Sequence, residues 1–375
     1  MKKWLDDFSA RWEHALHDLL WRQWTLLGVP GTVSTRVSSP LDPEALLLLG
    51  LESARTEPRL FDEVLEWLLE HGHRIDVQRL RNLVREDPDY PVRLVAAAAA
   101  VAGSEDDSAK WKRLAEPPGK PAGKSEPLFL LPGNLGATDP PSFNAVFAKY
   151  GYRHPGIKFR KHTGTIPMRT AAALRFRLRA LFGIGIRAET LTYLVSGMSG
   201  PVKQLAGASG YSLLGTNQAV RELEESEAIE MRKNGRERIY WTDAIRWWNF
   251  LDIEPRTSPG RVVSTAKGLA YEDFEDRTSW DSRGRTIRWP DGPLVTWTDW
   301  KALFSGLAQV LRFVRRADVR KASPYAGESE LGQVLDKAMP LLTAPGSPFR
   351  PPKGRVAPRV VAESLLDSLS PEGSR

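Results

Sequence analysis

The sequence predicts a mainly α-helical protein of several domains, with one short β-hairpin near the middle of the chain. Three observations support this prediction. The 375 residues exceed what a single hydrophobic core usually organises. Apolar residues recur at helical spacing through most of residues 1–115. An Asn-Gly dipeptide at Asn234 separates two short segments of the kind that form a tight hairpin.

Composition and charge narrow the classes of function. Lys and Arg number 53 against 46 Asp and Glu, and the resulting net charge of +7 favours a polyanionic partner. The absence of cysteine excludes disulfides and cysteine nucleophiles and fits a reducing cytoplasm. The N-terminus lacks the apolar core of a secretory signal, and no apolar stretch reaches the roughly 20 residues of a membrane span. A cytoplasmic protein without membrane contact is expected.

Residues 1–115 are predicted to form an N-terminal helical domain. Aromatic residues and leucines occupy every fourth position from Trp4 to Trp24, so they form one stripe on a long first helix. We expect this stripe to pack into a core or against a second subunit. The apolar spacing predicts four more helices, at residues 43–55, 59–71, 75–85 and 91–102.

Proline and glycine mark the boundaries of the remaining regions. Residues 116–127 hold four prolines and two glycines, a composition typical of a linker. A connecting region over 128–185 ends in a basic helix from Met168 to Phe182. The further divisions are a hairpin-containing domain with its following helix at 186–252, a C-terminal region at 253–320 whose helical part is expected from Trp297 to Val319, and a linker and tail at 321–375. The tail is expected to be largely disordered from about residue 343, with a short helix at 360–369.

Three short helices are predicted between residues 186 and 225. Arg187–Val195 places apolar residues on one face, and Ser199-Gly200-Pro201 then opens a second helix with a capping serine. Gly210 is able to take the left-handed conformation that a sharp turn before the third helix requires. The pattern therefore predicts a helix–turn–helix.

The third helix carries the side chains suited to reading DNA bases, and Ser212 is placed to cap it. Its spacing assigns four residues to the packing face: Leu213, Thr216, Val220 and Leu223. Four others are left pointing outward: Gly215, Asn217, Gln218 and Arg221. Asn and Gln are able to make paired hydrogen bonds to adenine, and Arg is able to do so to guanine. This face is predicted to contact base edges.

A basic hairpin follows the third helix. Ile229–Lys233 and Arg236–Tyr240 flank Asn234-Gly235, which favours a type I′ turn because both residues accept positive φ. The hairpin holds four cations, Arg232, Lys233, Arg236 and Arg238. We expect them to contact the phosphate backbone or the minor groove. Further phosphate contacts are expected from Lys203 and from the arginines between Arg175 and Arg187.

The order of these elements resembles that of bacterial winged helix-turn-helix transcription regulators, in the broad group that includes the MarR and ArsR families. The resemblance rests on LAGASGYS (205–212), AVRELEESEAI (219–229) and RKNGRERIYWTD (232–243), and it covers only residues 186–242. It implies a sequence-specific regulator that binds double-stranded DNA, usually as a homodimer. The metal-binding cysteines of ArsR proteins have no counterpart here, and Glu227-Ala228 replaces the usual acid-glycine pair before the hairpin.

Two other functions are compatible with the sequence. The same helices could dock an unidentified protein, so that the chain would be an antitoxin-like regulatory partner of a toxin or enzyme. A nucleic-acid-processing enzyme would need the acids at Glu272, Asp273, Glu275, Asp276 and Asp281. Acids in a polar loop among arginines are usually solvated, so no catalytic residue is assigned and the chain is not expected to be an enzyme.

Neither a metal nor a cofactor is expected. His71-Gly72-His73 offers two ligands, but no third ligand follows at a suitable spacing. The tryptophans after the hairpin present aromatic faces on which unpaired bases could stack. We expect them instead to fill a core. They are Trp247, Trp248, Trp280, Trp289, Trp297 and Trp300.

Overall fold

Helices dominate the computed structural model of the chain, which confirms the mainly α prediction. The structure describes residues 2–31, 39–105, 109–117, 119, 125–130, 145–154, 159–253, 262–265, 268–271, 278–280, 286–288, 295–316, 324–354 and 356–369. No helix in this part of the chain has the length and apolar character needed to cross a membrane.

The helices of the described residues follow one another along most of the chain. In order they are α1 (Lys2–Thr25), α2 (Pro43–Ser53), α3 (Pro58–His71), α4 (Val77–Glu86), α5 (Val92–Glu105), α6 (Ala145–Lys149), α7 (Leu174–Phe182), α8 (Ile186–Val195), α9 (Val202–Ser209), α10 (Leu213–Glu225), α11 (Ala244–Leu251), α12 (Trp300–Arg315), α13 (Pro324–Leu342) and α14 (Pro358–Leu369).

The strands of the described residues form two-stranded pairs only. They are β1 (Glu126–Pro127), β2 (Tyr152–Arg153), β3 (Glu230–Asn234), β4 (Glu237–Trp241), β5 (Val262–Thr265), β6 (Gly268–Tyr271), β7 (Thr278–Trp280) and β8 (Thr286–Arg288). Strands β1 and β2 pair in parallel, whereas β3 with β4, β5 with β6, and β7 with β8 are antiparallel.

The chain divides into two compact units. Unit 1 comprises Met1–Val33, Pro43–Thr165 and Asp299–Arg375. Unit 2 comprises Ser34–Asp42 and Ile166–Thr298. Segments from both ends of the chain therefore build unit 1, whereas the sequence pattern predicts only consecutive regions.

The core of unit 1 includes the stripe of α1. Phe8, Trp12 and Trp24 are fully buried on this helix, so the stripe is core, one of its two expected roles. On α12, Arg312 donates hydrogen bonds to both Glu52 and Asp87, at 2.6–2.9 Å. This shared guanidinium ties α12 to residues that lie more than two hundred positions earlier in the sequence.

The C-terminal tail is largely ordered, which contradicts the expectation of disorder from about residue 343. Phe349 is buried, and α14 inserts Leu365 and Leu366 into the core. The carboxylate of Glu363 on α14 accepts hydrogen bonds from Trp4 Nε1 at 2.6 Å and from Arg11 at 3.0 Å. The proline-rich composition suggested disorder because composition alone does not show that α1 offers a docking face. Residues 370–375 lie outside the described part.

Unit 2 is assembled around α8. Its core joins this helix to α7, α9, α10, the β3–β4 hairpin and α11 through buried leucines, valines and aromatic rings. The predicted tryptophan packing is confirmed for Trp248 and Trp297 here, and for Trp300 in unit 1. The ring of Trp297 meets Tyr193 edge-on at 4.9 Å between centroids. Trp289 lies outside the described residues.

Helix α7 begins later than its sequence suggests. The predicted start at Met168 is wrong, because Thr170 is extended, with φ −90° and ψ 155°. A single 3₁₀ turn, Ala171–Ala173, follows before α7 starts at Leu174. The three alanines are buried, so close packing shapes this entry to the helix.

Candidate nucleic-acid interface

The sharp turn between α9 and α10 is confirmed. Gly210 ends α9 in the left-handed region, with φ 75° and ψ 28°, and its N–H donates to the Ala206 carbonyl at 3.0 Å. Leu205 and Ala208 anchor α9 in the core. A residue with a Cβ would be strained at Gly210, and glycine therefore fixes the angle at which α10 leaves the turn.

The start of α9 differs from the prediction. Ser199 does not cap it, because the helix begins at Val202 after an extended Pro201. Gly200 instead exchanges two hydrogen bonds with Tyr240, its N–H donating at 3.1 Å and its carbonyl accepting at 3.0 Å. This bridge, rather than a serine cap, sets the entry to α9 and joins it to strand β4.

Helix α10 begins as predicted with Ser212 as its cap. The Ser212 hydroxyl oxygen accepts a hydrogen bond from the Gly215 N–H at 3.3 Å. Thr216, Val220 and Leu223 are buried as expected. The assignment of Leu213 to the packing face is wrong, because its exposed fraction is 56%. The first turn of α10 extends past the core, which leaves no apolar surface for Leu213 to cover.

The outward face of α10 contains both free and engaged side chains. Arg221 is exposed and Asn217 half-buried, and neither side chain has a hydrogen-bond or ion-pair partner within the described residues. Gln218 is exposed, but its amide donates to Glu222 at 3.1 Å. Gly215 is half-buried, and its N–H is used by the cap. Asn217 and Arg221 are therefore the predicted reading residues that remain available to a ligand.

Glu222, next to Arg221 in the sequence, is engaged by two neighbouring side chains. Its carboxylate accepts from Arg187 at 2.6 Å, and the hydrogen bonds from Arg187 and Gln218 lower the pKa of Glu222. Arg187 is thus paired with Glu222, although its side chain stays exposed, and its expected phosphate contact remains a prediction. The acids Glu224, Glu225 and Glu227 follow towards the C-terminal end of α10 and beyond it.

The hairpin turn is displaced by one residue from its predicted position. Asn234 pairs with Glu237, so Gly235 and Arg236 are the two turn residues rather than Asn234 and Gly235. Gly235 has φ 60°, whereas Asn234 stays extended as the last residue of β3. The predicted type I′ turn is therefore wrong. Glycine at the first central position is typical of the II′ turn, which needs only one residue with positive φ.

The register of the hairpin places like charges together. Lys233 lies directly opposite Arg238, one pair before the turn, and Arg232 lies opposite Ile239. All four cations of the hairpin are exposed. Lys233, Arg236 and Arg238 make no ion pair with any described residue. Because like charges directly opposite each other destabilise a β-pair, an anion bound there would relieve the repulsion.

Lys203 lies near the start of α9. It is exposed, and it has no ion-pair partner among the residues that the structure describes. Together with Lys233, Arg236, Arg238 and Arg221, it gives unit 2 a set of positive charges without an acidic partner among the described residues. The acids of unit 2 closest in sequence to these residues lie on the last turns of α10 and at Glu230 and Glu237.

Two of the arginines expected to contact phosphate are buried. Arg175 and Arg179 on α7 both hydrogen-bond the buried carboxylate of Glu189 on α8. Arg175 Nε also donates to the Leu41 carbonyl at 3.1 Å. The expectation is wrong because a buried Glu189 requires cationic partners. The sequence analysis did not identify Glu189. Arg175 and Arg179 are four residues apart and share one face of α7, which was a usable signal for a buried acidic partner.

The candidate catalytic and metal residues gain no support. The acids Glu272, Asp273, Glu275, Asp276 and Asp281 lie outside the described residues. A ring nitrogen of His71 lies 3.0 Å from the Gly164 carbonyl, and the ring packs on Trp67. Within the described ranges, no group of three or more acids and histidines is placed to hold a metal ion.

Comparisons with protein-family models, with curated proteins and with solved structures yield no match to this chain. Its function is therefore inferred from the geometry and chemistry of its own residues.

Proposed function

We propose that this protein is a sequence-specific DNA-binding transcription regulator and that unit 2 acts as a winged helix-turn-helix. In this proposal α10 enters the major groove and the β3–β4 hairpin is the wing on the phosphate backbone. The observation that carries it is the hairpin end, where Lys233 faces Arg238 and Arg236 occupies the turn, all without a described acidic partner. Such a concentration of unpaired cations favours a polyanion.

The polarity of α10 supports base reading by its first half. Asn217 and Arg221 lie four residues apart, so they share one face, and their side chains suit adenine and guanine respectively. The acids occupy the other end of the helix, where they would point away from the phosphates. A solvated face without a ligand would more often mix Glu and Lys along its whole length.

The proposal is tested by selection from a random duplex library with the full chain. We expect the wild type to enrich one motif, and the variant Asn217→Ala/Gln218→Ala/Arg221→Ala to lose selectivity by about tenfold or more for each lost base contact. A second variant replaces Lys233, Arg236 and Arg238 of the hairpin with glutamine. Its charge-matched control is Lys112→Gln/Arg113→Gln/Lys353→Gln, which removes three exposed cations of unit 1. Enrichment of the same motif by the α10 triple variant would overturn the proposal.

The alternative is an antitoxin-like module that docks a toxin or enzyme through α10. The exposed Leu213 and Leu214 favour this second candidate, since apolar surface is common at protein interfaces. The two functions differ in their salt dependence. Binding to duplex DNA weakens steeply with added salt, whereas docking through leucines does not. Association as a homodimer, which the resemblance implies, is tested by light scattering with and without the selected duplex.

A further inference from the structure

The first turn of α10 exposes two leucines in succession. The exposed fraction is 56% for Leu213 and 82% for Leu214, while the apolar residues further along α10 are buried. Ser212 caps this turn and Gly215 follows the two leucines, so the leucines project from the capped end of the helix. Exposed leucines at this position need an explanation beyond the stability of unit 2.

We propose that Leu213 and Leu214 recognise thymine through its 5-methyl group. This inference rests on the proposed function, because it assumes that α10 enters a major groove. The N-terminal residues of a recognition helix are the ones that contact base edges. Among the four bases, thymine is the one that presents a methyl group in that groove. Apolar side chains contact this methyl group directly. Leucines at the first two positions of α10 are suited to this contact.

The neighbouring side chains favour DNA over a protein as the occupant. Leu213, Asn217 and Arg221 are spaced four residues apart and form one stripe along α10. Asn217 offers the amide that pairs with adenine, and adenine lies opposite thymine in the same base pair. A duplex thus supplies an apolar methyl, an adenine edge and a phosphate backbone together. The unneutralised Lys233, Arg236 and Arg238 of the same unit complement that backbone.

The test removes only the methyl group. In the duplex that wild-type protein selects, each thymine is replaced singly by deoxyuridine, which keeps base pairing and every hydrogen-bonding atom. Affinity is measured by fluorescence anisotropy. At one or two positions we expect the replacement to weaken wild-type binding by about fourfold per methyl. The variant Leu213→Ala/Leu214→Ala is expected to bind the thymine and deoxyuridine duplexes equally.

A matched control removes exposed apolar side chains elsewhere in unit 2. Leu181→Ala/Ile184→Ala changes two such residues outside α10 and should keep the full deoxyuridine effect. Because all four side chains are substantially exposed, both variants are expected to fold, which circular dichroism verifies. The deoxyuridine effect in wild-type protein is a second readout that needs no variant.

The outcomes separate this inference from the proposed function. If wild-type protein selects a motif but deoxyuridine changes nothing at any position, thymine recognition is overturned and DNA binding stands. A deoxyuridine effect that persists in Leu213→Ala/Leu214→Ala also overturns it, because the methyl would then contact another residue. If no duplex is selected, both proposals fail.

Discussion

Arg179 on α7 donates hydrogen bonds from Nε and from its terminal nitrogen to the same carboxylate oxygen of Glu189 on α8, at 3.0 and 2.7 Å. Both side chains are buried, and Arg175 shares the same carboxylate. The link joins the two helices that precede α9, the turn at Gly210 and α10. Unit 2 is thus held together by a buried ion pair as well as by apolar packing.

The variant Glu189→Ala should therefore be strongly destabilised. Removing the carboxylate takes away the anion that two buried guanidinium groups share, while Arg175 keeps Asp42 at 3.9 Å. Breaking a buried ion pair by removing one side chain costs about 3–5 kcal/mol in the free energy of unfolding. Urea unfolding followed by tryptophan fluorescence measures the change. The control is Arg177→Ala. Arg177 lies between Arg175 and Arg179 on α7, is half-buried, and donates to the Met168 carbonyl at 3.3 Å. A loss below about 1 kcal/mol for Glu189→Ala would contradict a structural role for the pair.

Gly210 should not tolerate a side chain, whereas Gly207 on the same helix should. Alanine at Gly210 would have to adopt φ 75°, which costs about 1–2 kcal/mol in stability. Gly207 lies within α9, and a Cβ there would meet open space, so alanine is neutral or stabilises the helix by up to about 1 kcal/mol. Thermal unfolding of the two single variants provides the comparison. Equal melting temperatures would argue against the left-handed turn.

The hairpin cations should dominate the salt dependence of DNA binding. Replacing Lys233, Arg236 and Arg238 with glutamine removes the three proposed phosphate contacts, so the slope of log K against log salt should become shallower by about 2–3. The matched unit 1 variant, Lys112→Gln/Arg113→Gln/Lys353→Gln, should leave the slope unchanged. Equal slopes for the wild type and the hairpin variant would show that the hairpin does not contact phosphate.

The stability of unit 1 should fall in acid because of His154. Burial lowers the pKa of His154 from 6.5 to about 4, and its ring packs against Phe61, Phe129 and Phe147. A histidine with a lowered folded-state pKa stabilises the fold above pH 6.5, and the contribution is lost as pH falls from 6.5 towards 4. The loss amounts to about 3 kcal/mol at most.

The variant His154→Phe tests this assignment. Burial also lowers the pKa of His17 and His71, so both contribute in the same direction and remain in the variant. The difference between wild type and His154→Phe therefore isolates one histidine. Urea unfolding at several pH values from 4 to 7 measures the free energy of unfolding. As the pH falls, this free energy should decline less steeply in the variant than in the wild type. If the free energy of unfolding declines equally in both proteins, the acid sensitivity comes from groups other than His154.

Local features of the fold were predictable from the sequence because each depends on a few neighbouring residues. Gly210 needs only its own lack of Cβ to permit the turn, and Ser212 caps α10 within three residues. The spacing of Trp4, Phe8 and Trp12 likewise records which face of α1 is buried. Helical periodicity and capping carry this information directly.

Features that depend on distant segments were not predictable. The docking of α14 on α1 joins Glu363 to Trp4 across nearly the whole chain. Leu213 has the correct spacing for the packing face of α10, but the core ends before it reaches that turn. The burial of Arg175 depends on Glu189, whose position relative to α7 is set by the packing of α7 and α8. The order of residue types along the chain does not specify the distances between segments that are far apart in the sequence.

The most direct test of the central claim is the ratio of two affinities at one fixed salt concentration. Fluorescence anisotropy gives Kd for the selected duplex and for a scrambled duplex of the same composition, with wild type and with Asn217→Ala/Arg221→Ala. We predict a wild-type preference of about a thousandfold or more that falls by at least about a hundredfold in the variant. Equal wild-type affinities for the two duplexes, or the same preference in the variant, would contradict base reading by α10.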